Sequence, residues 1–196
     1  MNDGWIQTYT GRKFCPLAAQ ARDVDVRDIA HALALKCRFG GHCRYFYSVA
    51  EHSVRVSRVL EKLGTREAMW GLLHDAGEAY LADVCAPIKR MIHVHDGKRV
   101  ESFGEAEDRL LEVIAKGLGL PAVDYDVVRD ADLTLLMTEA RDLLGEPPES
   151  WHVSQKPLPE KIVPVGWQEA EGMFLARYEE LREKAKTNGG KSATQK

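Results

Sequence analysis

The amino-acid sequence predicts an all-α fold built as one domain. Six segments place apolar residues at helical spacing, whereas no long segment alternates apolar and polar residues as a half-buried strand does. With 196 residues, of which 44% are hydrophobic, the chain is large enough to bury a core of its own. We expect the domain to cover residues 1–186 and the small, polar segment 187–196 to be a disordered tail.

The helices are predicted from apolar periodicity and from the residues that start and stop it. Residues 1–26 are expected to be irregular, and Ile29 and Leu33 then mark a short helix. Ser48 and Glu51 have the spacing of a capping box, and they precede a second apolar stripe. The predicted helices cover residues 27–36, 49–63, 66–78, 99–117, 126–144 and 166–185.

Two segments between the predicted helices are expected to be irregular. PIKRMIHVHDGK, residues 87–98, is interpreted as a loop. Residues 145–165 contain several prolines, which break helices, and therefore indicate an extended excursion after the fourth core helix. A short hairpin within residues 150–165 is the only strand pair that the sequence suggests.

Charge and hydropathy exclude several kinds of partner. The chain carries 27 Lys and Arg against 30 Asp and Glu, so it has no basic field to hold a nucleic-acid backbone. No window approaches the roughly 20 consecutive apolar residues of a membrane helix, and the amino terminus lacks the apolar region of a signal peptide. We therefore expect a cytoplasmic protein with reduced cysteines, which binds neither nucleic-acid polymers nor membranes.

Polar residues in unusual places on the helices are the first candidates for a functional site. At 100° per residue, His52 shares a stripe with Val56, so its imidazole is expected to point into the core. His74, Asp75 and Glu78 share a narrow face of the next helix that has no lysine or arginine. Such a face supplies ligands for a divalent cation or groups for proton transfer. A core histidine and an acidic surface stripe are the alternatives.

The helix over residues 126–144 offers two aspartates that point in different directions. Asp132 lies on the apolar stripe with Leu135 and Leu136, where a carboxylate is costly unless it is paired or bound to a metal. Asp130 falls on the far side and is interpreted as a solvated charge. Asp132 is therefore the candidate ligand from this helix.

Together these residues resemble the H…HD…D signature of the HD superfamily of metal-dependent phosphohydrolases. His52 matches the first histidine, His74 and Asp75 the adjacent pair, and Asp132 the last aspartate. The stretches SVAEHSVRVSRVL, LLHDAGEAYLADVCAPIKRM and RDADLTLLMTEARDLL also resemble the bacterial 5'-deoxynucleotidase branch and the related phage deoxynucleoside triphosphohydrolases. The resemblance covers about residues 38–144 and implies the helical bundle of an HD domain.

The resemblance implies that His52, His74, Asp75 and Asp132 hold one divalent cation. Two imidazoles and two carboxylates suit a transition metal such as Mn, Co, Fe, Ni or Zn better than calcium, which prefers oxygen ligands. In similar enzymes the metal polarises a phosphoryl group and lowers the pKa of a water molecule.

Further roles are implied for residues that match the family's pattern. Glu78 and Asp83 match residues needed for turnover, which orient the attacking water or protonate the leaving oxygen. Arg38 and Lys89 match basic residues expected to bind the substrate phosphate. Phe39 stands where the nucleotidase branch carries a tryptophan against the sugar, so the smaller ring is expected to crowd a ribose less.

We therefore expect a phosphohydrolase whose substrate is a small nucleotide, namely a (deoxy)nucleoside 5'-monophosphate. Two alternatives stay open: a deoxynucleoside triphosphate triphosphohydrolase, and an HD module that binds nucleotides without hydrolysing them. Related enzymes form homodimers or larger rings, so the resemblance also implies a homo-oligomer.

Overall fold

The computed structural model describes residues 4–97 and 99–192, and the described chain is mainly helical, as the sequence predicts. The α-helices are α1 (Val26–Leu35), α2 (Val49–Leu60), α3 (Thr65–Leu73), α4 (Ala86–Lys89), α5 (Phe103–Leu118), α6 (Tyr125–Leu143) and α7 (Trp167–Ser192). Two antiparallel strand pairs accompany them: β1 (Ile6–Gln7) with β2 (Lys13–Phe14), and β3 (His93–His95) with β4 (Val100–Ser102). Within the described residues, no helix is both long and apolar enough to cross a membrane.

Helix α2 lies at the centre of the fold and packs against α1, α3, α6 and α7. It begins where Ser48 Oγ accepts the amide of Glu51 at 3.0 Å. Only this half of the predicted capping box forms, because the buried Glu51 carboxylate instead accepts hydrogen bonds from Arg55 and from the amide of Val165. The central position of α2 leaves the side chain of His52 fully buried.

Helices α2 and α3 approach each other closely at Gly71. A Cβ atom on Gly71 would lie 2.7 Å from Leu60 Cδ1 and 3.1 Å from the backbone of Ser57. Only glycine permits this approach without displacement of α2. The contact places the residues that follow Gly71 beside the buried face of α2.

Helix α3 ends earlier than the predicted boundary at residue 78. It stops at Leu73, and after a bend at Asp75 a 3-10 turn covers Ala76–Ala79. His74 Nδ1 donates to the carbonyl oxygen of Gly71 at 2.9 Å. In a continuing α-helix that carbonyl accepts the amide of Asp75, so the imidazole takes the place of a backbone hydrogen bond.

The predicted excursion after the fourth core helix is irregular, and the hairpin suggested within residues 150–165 does not form. The structure describes all of residues 145–165 and places no strand there. The amide of Leu158 donates to Thr138 Oγ1 at 2.9 Å, and the amide of Ile162 donates to Asp142 Oδ2 at 2.8 Å. Because side chains of α6 satisfy these backbone groups, the segment needs no strand partner.

Three of the four strands in the described residues, β1, β2 and β3, lie in segments for which the sequence suggested irregular structure, and β4 lies at the start of the helix predicted over residues 99–117. In the segment 87–98, β3 leads through Asp96 and Gly97 into β4, with Gly97 at φ +92°. Asp-Gly is a sequence signal for a tight hairpin turn, and it was available in the sequence. Because β4 covers residues 100–102, α5 starts at Phe103 rather than at residue 99.

The carboxyl-terminal helix is longer than predicted. Helix α7 continues past residue 185 to Ser192 and so includes the first part of the segment 187–196 that we assigned to a disordered tail. Residues 193–196 lie outside the described residues.

Candidate metal centre

Three helices bring two histidines and two aspartates together. His52 lies in the middle of α2, His74 and Asp75 follow the end of α3, and Asp132 lies on α6. His52 Nε2 is 3.3 Å from His74 Nε2 and 3.1 Å from Asp132 Oδ1. Asp75 Oδ1 is 3.3 Å from His74 Nε2, and Asp75 Oδ2 is 3.6 Å from His52 Nε2. Donor atoms of His52, His74 and Asp75 all lie within 4.8 Å of one another, so this group can hold a metal ion.

Both imidazole rings are held through their Nδ1 atoms. His52 Nδ1 donates to Glu139 Oε1 at 2.6 Å, and His74 Nδ1 donates to the Gly71 carbonyl at 2.9 Å. In neutral rings the two Nε2 atoms therefore present lone pairs to each other across 3.3 Å. Lone pairs at this distance repel unless a cation lies near them or one ring is protonated. The donor set fits a divalent transition metal.

The charges around His52 also favour a cation. Although burial and Arg38 act to lower it, Glu139 and Asp132 raise the pKa of His52 to about 9. Burial acts to raise the pKa of Asp132, but hydrogen bonds from His52 and His74 hold it well below its usual range. In the metal-free protein His52 is therefore protonated at neutral pH, and a divalent cation must displace that proton.

The two aspartates of helix α6, Asp130 and Asp132, point in different directions. Asp132 faces the histidines, whereas Asp130 lies exposed and accepts a hydrogen bond from Gln155 Nε2 at 3.1 Å. The two side chains thus point in the directions that the apolar stripe of α6 predicted.

A cavity of about 130 Å³ opens beside His74 and Asp75. Glu78 reaches it from the 3-10 turn and is only 7% exposed. Its Oε2 atom has no hydrogen-bond partner within the described part of the chain. Burial, together with the neighbouring carboxylates of Asp75 and Asp83, raises the pKa of Glu78 to about 9. The carboxyl group is therefore protonated at neutral pH in the metal-free protein.

Asp83 lies half-buried between this turn and α4. Burial raises the pKa of Asp83 although Arg38 acts to lower it. Asp83 does not cap α4, because Cys85 occupies the N-cap position and makes no side-chain capping bond.

The three predicted substrate-binding residues have different surroundings. Arg38 is partly buried beside the ligand cluster, where Nε donates to Glu139 Oε2 at 3.2 Å and a terminal nitrogen donates to Asp75 Oδ2 at 3.4 Å. Lys89 lines the cavity, and its Nζ lies 2.8 Å from Glu107 Oε2. Phe39 has a left-handed backbone, with φ at 57°, and its ring packs edge-on against Trp151, with centroids 6.2 Å apart.

The sequence interpretation missed four polar residues at the site. Glu139 bonds His52 directly, and the other three line the cavity: Glu107, Asp108 and Tyr125. Glu139 follows Asp132 by seven residues, about two helical turns, so the periodicity of α6 carried a signal for it. Glu107 and Asp108 had no such signal, because charged residues on an amphipathic helix normally face solvent.

Comparison with known proteins places the chain in a family. No family model matches the chain. It is, however, 37% identical over 182 residues to "Uncharacterized protein YfdR" of Escherichia coli (strain K12), an alignment that covers 91% of this chain and 96% of that protein. The chain belongs to the YfdR family. An uncharacterized protein of Rhodobacter capsulatus is 34% identical over 155 residues, which cover 74% of this chain and 76% of that protein.

The similarity to YfdR extends over most of the chain. Because it covers 91% of this chain, the likeness reaches well beyond the segment 38–144 that carries the resemblance to HD phosphohydrolases. The names of the two relatives in the YfdR family state no activity, so function is argued from the metal centre itself.

Proposed function

We propose that the protein is a metal-dependent phosphohydrolase of the HD type that acts on (deoxy)nucleoside 5'-monophosphates. The observation that carries the proposal is the pair of Nε2 atoms of His52 and His74, 3.3 Å apart, with Asp75 and Asp132 beside them. These four residues are those that match the H…HD…D signature, and Glu78 lines the adjoining cavity.

The chain's own groups support hydrolysis of a phosphate ester. His52, His74, Asp75 and Asp132 would hold a divalent cation, which would supply a Lewis acid and lower the pKa of a water molecule toward neutrality. Glu78 lies on the cavity wall and is almost fully buried, and burial favours the protonated form of its carboxyl group. From the cavity wall this carboxyl group can give its proton to the ester oxygen as the bond to phosphorus breaks.

The charge of the cavity wall favours a monophosphate over a triphosphate. Among the described residues that line the cavity, Lys89 is the only lysine or arginine, and it is paired with Glu107. Asp75, Glu78 and Asp108 add further acidic groups to the wall. A triphosphate carries more negative charge than a monophosphate, so this wall repels it more strongly.

The proposal is tested by phosphate release from a panel of nucleotides. Chelator-stripped protein is mixed with Mn, Co, Fe, Ni or Zn and with ribo- and deoxynucleoside mono- and triphosphates. We expect orthophosphate from monophosphates, loss of this activity in Asp75→Ala, and nearly full activity in the matched variant Asp130→Ala. Release of triphosphate from deoxynucleoside triphosphates would establish the triphosphohydrolase instead. Failure of every metal to support release would refute hydrolysis and favour a nucleotide-binding module.

A further inference from the structure

We propose that Glu139 is a positioning residue for the metal centre. Its carboxylate fixes the ring of His52 so that Nε2 faces the other ligands, and Arg38 holds the carboxylate in place. The inference rests on the proposed metal-dependent function, but it concerns how the ligands are held rather than which substrate is hydrolysed.

The hydrogen bond between Glu139 and His52 lies entirely inside the protein. Both side chains are fully buried, and Glu139 Oε1 lies 2.6 Å from His52 Nδ1. The other oxygen, Oε2, accepts from Arg38 Nε at 3.2 Å. A buried carboxylate is tolerated only when its oxygens are bonded, and here each oxygen has a partner. Arg38 Nε and Glu139 Oε2 form an ion pair at 3.2 Å, so the positive charge of the guanidinium balances the carboxylate.

The carboxylate of Glu139 pairs with Arg38 through one oxygen and accepts a hydrogen bond from His52 Nδ1 through the other, and this bond fixes the tautomer of His52. The proton of the neutral ring must be on Nδ1, which leaves the lone pair of Nε2 directed at Asp75, Asp132 and His74. The negative charge on Glu139 also makes Nε2 a stronger electron donor to a metal. Glu139 therefore sets both the direction and the basicity of His52.

Arg38 connects this support to a second ligand. The same guanidinium group that bonds Glu139 also donates to Asp75 Oδ2 at 3.4 Å. The Arg38 guanidinium thus restrains Asp75 directly and His52 through Glu139. Helix α6 contributes Asp132 and Glu139 from the same face, so it supplies both a ligand and the group that orients another ligand.

The test compares two buried glutamates by metal affinity. Glu139→Gln is compared with Glu51→Gln, because Glu51 is also fully buried and also accepts from an arginine, but its other oxygen accepts from the amide of Val165 rather than from a histidine. Zinc and manganese binding to chelator-stripped protein is measured by calorimetry, and circular dichroism checks the fold. We expect Glu139→Gln to lose about 10–100-fold in affinity while Glu51→Gln keeps the affinity of the parent. Equal affinities in the two variants would overturn the proposal.

A second measurement uses the unaltered protein and so does not depend on the folding of a variant. In zinc-loaded protein with nitrogen-15-labelled histidine, we expect NMR spectra to show the proton of His52 on Nδ1 and none on Nε2. A proton on Nε2, or no zinc binding by the parent, would overturn the proposal. Neither readout requires hydrolysis. A parent that binds zinc as expected but releases phosphate from no nucleotide would refute the proposed function and leave the role of Glu139 supported.

Discussion

Replacement of Glu78 by glutamine is expected to stabilise the metal-free protein near neutral pH, although it removes a carboxyl group that we propose to act in catalysis. Glu78 is buried beside Asp75 and Asp83, and its pKa is raised from 4.5 to about 9. Between these two values the folded protein keeps a proton that the unfolded chain has released. The free energy of unfolding contributed by this group is therefore highest below about pH 4.5 and falls as the pH rises toward 9.

The size of the effect follows from the interval between the two pKa values. Each pH unit within it lowers the free energy of unfolding by about 1.4 kcal/mol. Between pH 5 and pH 7 the parent is thus expected to lose roughly 2–3 kcal/mol through Glu78, or roughly 5–10 °C in melting temperature for a domain of this size. Glutamine does not titrate, so the variant avoids this loss.

The assay is thermal and urea unfolding of chelator-stripped protein at pH 5, 6 and 7. The quantity compared is the change in the free energy of unfolding between pH 5 and pH 7 in the parent, in Glu78→Gln and in Glu149→Gln. Glu149 is exposed, so its replacement is expected to leave the parent's pH dependence unchanged. Parallel curves for the parent and Glu78→Gln would show that burial does not hold a proton on Glu78, and the reasoning would fail.

Three further outcomes are expected. Asp75→Ala should abolish metal binding in calorimetry, whereas Asp130→Ala should bind as the parent does; the reverse result would show that the ligands are wrongly assigned. Free zinc or manganese at a concentration of 100 times its dissociation constant should raise the free energy of unfolding of chelator-stripped protein by about 2.7 kcal/mol. Urea unfolding measures this change, and an unchanged free energy would argue against a metal centre. Gly71→Ala should cost about 1–3 kcal/mol, since its Cβ would meet Leu60 and the backbone of Ser57; unchanged stability would show that α2 and α3 can separate without cost.

Two local signals in the sequence, apolar periodicity and helix-capping residues, predicted the long helices well. The apolar stripes and the Ser48 cap located α2 and α6 to within a few residues, because helical periodicity is a property of neighbouring residues. The same signals failed at the end of α3, where the imidazole of His74 takes the carbonyl of Gly71. They also misplaced the hairpin, since residues 145–165 find their hydrogen-bond partners on α6 and α2 rather than in a strand.

The sequence by itself determined which residues are candidates for the metal centre. His52 and Asp132 stand on apolar stripes of their helices, and helical geometry alone turns such residues toward the core. The spacing of His74, Asp75 and Glu78 likewise indicated one polar group at the end of a helix.

Only the tertiary structure decided how these residues meet. His52 and Glu139 are 87 residues apart in the chain, and Arg38 and Glu139 are 101 apart, yet each pair forms a hydrogen bond. Arg38, which the resemblance assigned to substrate phosphate, donates to two carboxylates of the cluster in the folded protein. Contacts over such separations depend on how α2, α3 and α6 pack. That packing is set by the shapes of many side chains at once, and no local pattern of residues encodes it.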